Sequence, residues 1–220
     1  MQNRSLLGEC LQRHAISLEP DQVEMLDRYA RALWAWNARL NLTRHTDAET
    51  FVARDVVDSL AFARWLANGA RVLDIGTGGG VPGVILSILR PDLQLTLCES
   101  VGKKARALEA IVREVGRPLA TVHARAEIIL RRKTFEFMVA RAVAPLPKML
   151  GWLRPAWRRT GDLLVIKGRA WQSECDQARA EGLLKGIEVQ TIATYQTPTT
   201  GAENVVLRIS RATRVRHTSK

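Results

Sequence analysis

The residues best placed to do chemistry lie in one stretch, Val72-Leu73-Asp74-Ile75-Gly76-Thr77-Gly78-Gly79-Gly80-Val81-Pro82-Gly83. An apolar run ends in a carboxylate, glycines cluster behind it, and a proline stands just inside the next segment. The run reads as a buried strand, and the glycines allow a tight turn where another molecule can approach the backbone. Pro82 suits the first turn of a helix, where its missing N–H costs nothing. A strand, a glycine turn and a helix N-terminus form a corner able to cradle a nucleotide-like ligand.

Two ligands compete for that corner. Asp74, Gly76, Gly78 and Gly80 satisfy acid-x-Gly-x-Gly-x-Gly, the form of a methyltransferase's S-adenosylmethionine loop, while Gly78, Gly80 and Gly83 satisfy the dinucleotide fingerprint G-x-G-x-x-G. Glu99, expected at the end of the second strand, could accept two hydrogen bonds from ribose hydroxyls in either case. Asp74 separates the readings. A pyrophosphate welcomes no carboxylate at the turn, whereas the sulfonium and α-amino group of S-adenosylmethionine favour one. The bland alternative is an acid that caps the following turn and touches no ligand.

The surrounding pattern supplies elements to hold these residues. Residues 5–66 read as helical: Val23, Leu26, Ala30, Leu33 and Trp34 recur at helical spacing, Asn37 to Thr43 interrupts, and a second helix runs from the late forties to Leu66. Strands are expected at 71–75, 93–98, 119–123, 135–140, 161–167, 187–194 and 203–210, with helices at 82–89, 102–115, 146–158 and 172–185. Strands separated by helices predict a parallel sheet with right-handed crossovers. The last two are joined through only Thr197 to Gly201, so they should pair antiparallel. The expected organisation is a helical extension over 1–68, an α/β domain over 69–212 and a basic tail over 213–220.

Bulk properties narrow the function classes. The 220 residues carry a net charge of +11, which points to a polyanionic partner, nucleic acid first, unless it reflects only a preference for arginine. No apolar run reaches the roughly 18 residues that span a bilayer, and no secretory signal is legible, so a cytoplasmic location is expected. Cys10, Cys98 and Cys175 match no metal-ligand spacing, and no metal is expected. Arg131-Arg132-Lys133 with Arg154, Arg158 and Arg159 could form a phosphate track. Most of the six tryptophans read as core.

Further motifs lie after the later strands. Arg125-Ala126-Glu127 comes after the third, where backbone amides could read an adenine edge. Arg141-Ala142-Val143-Ala144 comes after the fourth, at the ligand-facing edge of a parallel sheet, and Lys167-Gly168 after the fifth. With Asn41-Leu42-Thr43, Asp58-Ser59-Leu60, the 74–83 loop and Lys103-Lys104, they occur in an order that resembles the RsmG (GidB) family, over most of the chain. Those proteins are bacterial guanine-N7 methyltransferases of 16S ribosomal RNA. The resemblance implies a class I (Rossmann-like) methyltransferase fold and S-adenosylmethionine as cofactor. As target it implies nucleotide 527 in the 530 loop of the small-subunit RNA. It also implies donor contacts at Gly76, Val81, the backbone of Ala126 and Glu127, and Arg141. Arg54 stands where relatives often carry His, and Glu99 where they often carry Asp.

Guanine N7 has a lone pair and no proton to lose, so the expected reaction is an in-line displacement without a general base. Arg141 is expected to grip the donor carboxylate or an RNA phosphate with its bidentate fork. Lys167 is expected to touch a phosphate or a base edge. The basic surface makes a monomer reasonable. Two other readings stay open at this level: an NAD-dependent oxidoreductase using the same loop, and an RNA-binding protein with a vestigial pocket.

Overall fold

The computed structural model describes residues 6–212; the basic tail expected at 213–220 lies outside them. Helices α1 (Leu6–Arg13) and α2 (Pro20–Asn37) open the described chain. The α2 helix starts with Gln22 Oε1 accepting from the Glu19 N–H at 3.1 Å. Asn37 Oδ1 then accepts from the N–H groups of Leu42 and Thr43, at 2.8 and 2.9 Å, which folds the chain back. The next helical stretch begins as α3 (Ala48–Thr50), widens into a π-helical turn (Phe51–Val56) and ends as α4 (Val57–Ala63).

Strand and helix then alternate: β1 (Arg71–Ile75), α5 (Gly83–Leu89), β2 (Gln94–Glu99), α6 (Gly102–Val115), β3 (Ala120–His123), α7 (Ala126–Leu130), β4 (Phe137–Arg141) and α8 (Leu146–Leu153). A 3-10 turn (Arg154–Arg159), β5 (Asp162–Lys167), α9 (Trp171–Ala180), β6 (Ile187–Gln196) and β7 (Glu203–Arg211) complete the order. The helix expected over 146–158 stops at Leu153, because Pro155 lacks the N–H that would continue it. The short helix α7 is an addition to the expected elements.

The seven strands form one sheet in the order β3-β2-β1-β4-β5-β7-β6. The first five are parallel, and β7 lies antiparallel between β5 and β6. The central strands are buried on both faces, as their near-continuous apolar composition requires. One core beside the sheet is shared by the helical extension and the crossover helices: Leu26, Tyr29, Leu33, Phe51 and Val52 pack with Val84, Ile85, Leu108 and Ile111. The extension is therefore built onto the sheet domain through apolar burial. No helix of the described residues is long and apolar enough to cross a membrane.

Candidate active site

The strand order reverses between β1, whose next strand in sequence is its neighbour on one side, and β4 on its other side. A crevice opens there, beyond the carboxyl ends of the strands. A cleft of about 300 Å3 occupies it, and Gly76, Gly78, Glu99, Ala126 and Glu127 all line it. Ser100, Lys104, Arg125, Ala142, Val143 and Trp152 complete much of the wall.

The glycine turn is held from below. Thr77 N–H donates to Cys98 O at 3.1 Å, and Gly80 N–H to Thr77 O at 2.8 Å. Gly78 has φ +58, and a Cβ there would meet nothing nearer than Gly76 O at 4.0 Å, so the cleft begins at its α-carbon. Gly76 has no such room: a Cβ would lie 3.1 Å from both Val143 methyls. Glu99 is 5% exposed and ties the turn to the start of α6, accepting from Gly78 N–H at 3.0 Å and from Val101 N–H at 2.7 Å. A carboxylate has about four lone-pair sites, so it can still accept two ribose hydroxyls. At α7 the first N–H groups, those of Ala126 and Glu127, have no acceptor within the helix and stand at the cleft wall. The geometry fits a ligand carrying a ribose and an adenine.

Asp74 departs from its expected role. It is fully buried beneath the loop, where Oδ2 accepts from Thr77 Oγ1 at 2.5 Å and from Gly83 N–H at 2.8 Å. It does not line the cleft. Burial pushes its carboxyl up to about 7, against the hydrogen bonds from Thr77 and Gly83, so it is no fixed anion at neutral pH. The expectation that Asp74 faces a sulfonium is corrected: the acid ties strand, turn and helix together. Val81 is also displaced from its expected place. Its side chain packs on the core under the helical extension, and its N–H donates to Thr77 O at 3.2 Å.

Arg141 is not a free cation awaiting a carboxylate or a phosphate. Its Nη2 lies 2.6 Å from Asp55 Oδ1 and its Nε 2.8 Å from Asp58 Oδ2. Tyr195 OH donates to the other Asp58 oxygen, and His45 Nδ1 stands 3.4 Å from Asp55. Burial disfavours charge on Asp55, but His45 and Arg141 outweigh it and hold the carboxyl below its usual range. At Asp58 burial wins, and the carboxyl is raised. Arg141 thus fixes the start of the β4–α8 loop, whose next residue, Ala142, has φ +53, a strained conformation for a residue with a Cβ. Lys167 is likewise engaged: Nζ donates to Ala144 O at 2.7 Å and lies 2.7 Å from Glu174 Oε2. The expectation of an available phosphate or base-edge contact is corrected to a strut behind the same loop.

Sequence reasoning missed the partners of Arg141. Asp55 and Asp58 sit three apart among Phe51, Val52 and Phe62 on a buried helical face, and carboxylates on an apolar stripe are the signal that was available. Nothing comparable announced Tyr195. The cysteines are buried and free, and burial pushes Cys98 up to about 12, which leaves it unreactive. Among the described residues no group of three or more His, Cys, Asp or Glu could hold a metal ion.

Comparison with known proteins places this architecture. Solved structures with the same fold include the precorrin-6y C5,15-methyltransferase of Geobacter metallireducens, 14% identical with a TM-score of 0.53, covering 78% of this chain and 92% of that one. A methyltransferase of Pyrococcus furiosus has a TM-score of 0.55 at 14% identity, over 84% of this chain and 96% of that one. The shared fold is that of class I methyltransferases. It differs from the classic dinucleotide order 3-2-1-4-5-6 by the antiparallel strand inserted beside β5. The small-subunit ribosomal RNA methyltransferase G of Rhodopirellula baltica is 42% identical over 185 residues, 84% of this chain and 80% of the relative. That of Desulfitobacterium hafniense is 37% identical over 200 residues, 88% and 83% of the two chains. Residues 22–205 match the GidB family model, described as rRNA small subunit methyltransferase G, and the chain belongs to that family.

Proposed function

We propose that this chain holds S-adenosylmethionine in the cleft beyond β1, β2 and β4 and transfers its methyl group to N7 of a guanine in 16S ribosomal RNA. The guanine of the 530 loop is the target that the sequence resemblance implies. The observation that carries the reading is the glycine turn: Gly78 leaves the cleft open while Glu99 braces it, in a chain of this family.

The donor supplies an electrophilic methyl on a sulfonium. The chain's own part is to hold and aim. Glu99 offers its remaining lone pairs to ribose hydroxyls, the N–H groups of Ala126 and Glu127 face the adenine edge, and the Gly76–Gly78 backbone sets how near the donor's amino-acid end can come. Arg141 and Lys167 act through the loop they fix, whose Ala142 and Val143 line the cleft. No side chain has to accept a proton, because N7 has none to lose. The purine gains positive charge as it is methylated. Asp55, Asp58 and Glu174 neutralise the two cations that leave β4 and β5, so neither adds a net charge against that step. Catalysis then rests on orientation and approach. We further assign the chain to the cytoplasm, as a monomer acting on RNA or on a small-subunit particle.

The test is tritiated methyl transfer to small-subunit RNA from cells lacking the enzyme, with S-adenosylhomocysteine and NADH compared in equilibrium binding. Incorporation at one guanine with preference for the homocysteine ligand is expected. Preference for NADH would overturn the assignment in favour of an oxidoreductase. Intact donor binding without incorporation would leave an RNA-binding protein.

A further inference from the structure

The five parallel strands enter the sheet along the edge opposite the cleft, and the chain returning to that edge is basic. Arg117 precedes β3, Arg131, Arg132 and Lys133 precede β4, and Arg154, Arg158 and Arg159 precede β5. Hydrogen bonds join these segments: Arg159 Nη1 donates to Arg131 O at 3.0 Å, and Arg211 Nη1 to Arg158 O at 3.4 Å. Three nearby acids are already neutralised, Asp92 by Arg90, Glu136 by Arg71 and Asp162 by Arg208. Among the described residues Arg117, Arg131, Arg132, Lys133, Arg154 and Arg158 have no ion pair.

A groove of about 770 Å3 runs along this edge, and its charged lining is Arg71, Arg117, Arg132 and Lys133, with no acid. A hollow of about 350 Å3 shares Arg117 and adds Arg113, with Glu109 as the one acid lining either space. Arg117 is half-buried where the two spaces meet and makes no ion pair, so its cation is not neutralised by the protein. The cations extend beneath β3, β2, β1, β4 and β5, about 19 Å at the usual strand spacing. That breadth suits a repeating chain of charges rather than one small anion. The five residues of β1 put about 17 Å of buried sheet between this edge and the cleft.

We propose that this edge is a second RNA-binding surface, gripping phosphates of a substrate segment other than the one that presents the reacting guanine. The inference rests on RNA being the substrate. It makes the preferred substrate a large folded RNA, because a short hairpin seated in the cleft does not reach round the sheet.

The test compares the parent chain with Arg117→Gln/Arg132→Gln/Lys133→Gln, and with Arg132→Gln/Lys133→Gln, whose two exposed positions make folding safe. Binding of full-length 16S RNA and of a short stem-loop carrying the target guanine is followed across a salt series. For the long RNA the triple variant is expected to lose about two to three units of salt slope, at about 0.7 to 0.9 per phosphate contact. Its KM for long RNA should rise while kcat, S-adenosylhomocysteine affinity and all stem-loop constants stay at parent values. An unchanged slope in both variants overturns the proposal, and so does an equal loss on the stem-loop. Loss of binding to phosphatidylserine vesicles with RNA binding intact would assign the edge to a membrane surface and overturn it too. If the parent chain transfers no methyl group, the enzymatic reading fails by itself and the slope comparison still decides.

Discussion

Replacing Asp74 by Asn should remove a pH dependence of folding. The carboxyl is fully buried, and burial raises it from 3.8 to about 7. The folded state therefore holds this proton more tightly than the unfolded chain does. Stability carries no penalty from this group below 3.8, falls as pH rises, and bears the whole penalty above about 7. At 1.36 kcal/mol per unit the whole penalty is about 4 kcal/mol, of which about 2 to 3 develops between pH 5 and pH 8. In the Asn variant the amide oxygen can still accept from Thr77 and Gly83, but the amide N–H groups fall where Oδ1 lies buried without a partner. That leaves a pH-independent cost of about 1 to 3 kcal/mol. Relative to the parent, the variant should thus gain about 2 to 3 kcal/mol between pH 5 and pH 8 and should be the more stable protein near pH 8. Urea unfolding of both proteins without ligand at the two pH values measures the difference, and titrating groups that do not interact with Asp74 cancel between them. Parallel stability–pH curves would show that Asp74 stays ionised beneath the loop and would refute the burial argument.

The same geometry predicts the outcome of other substitutions. Gly78→Asp fills the mouth of the cleft and sets a second carboxylate beside Glu99, so calorimetry should detect no S-adenosylhomocysteine binding; undiminished affinity would move the site elsewhere. Gly83→Ala would put a Cβ 2.2 Å from Leu97 Cδ2 and 2.6 Å from Asp74 Oδ2, a loss of about 1 to 3 kcal/mol. Gly151→Ala, in α8 with nothing within 4 Å, should instead raise stability by about 0.5 to 1 kcal/mol, and thermal melts of the pair check both signs. Arg141→Gln leaves Asp55 and Asp58 buried without their cation and should cost about 3 to 5 kcal/mol at neutral pH. Part of that loss should return on acidification in urea unfolding, since Asp58 already takes up its proton more readily than an ordinary carboxyl.

What the sequence shows of this fold depends on where the deciding contacts lie. The bounds of β1 and α6 match their expected ranges residue for residue, because each is a strong apolar pattern with local stops, such as Gly116 at φ +77 behind α6. Helix α7 is hidden from such reasoning since five residues hold less than two turns, too few to establish a period. The π-helical turn at Phe51–Val56 is hidden for a different reason: one widened turn barely alters an apolar stripe. Within the site, Gly76, Gly78, Glu99, Ala126 and Glu127 were legible because each lies directly at or behind a strand end. Arg141 and Lys167 stand at the ends of the expected strands, and in the structure each is held by protein groups. Their partners come from other elements: Asp55 and Asp58 lie more than eighty residues before Arg141, and no local pattern links them.

Those long-range pairs change what the helical extension is for. Composition alone makes it an apolar cap over α5 and α6. Yet Asp55 and Asp58 reach from it to Arg141, and Tyr195 reaches to Asp58 from the antiparallel hairpin. The residue after Arg141 is Ala142, held at φ +53, and such a conformation persists only where the surroundings over-determine it. Two ion pairs before Ala142, with Lys167 bonded to Ala144 O after it, supply that constraint. The cleft wall at Ala142 and Val143 is therefore set by three parts of the chain at once. Removing the extension should loosen this cleft wall, which it reaches through Arg141, and also the glycine turn, where Tyr29 OH donates to Gly79 O at 3.1 Å.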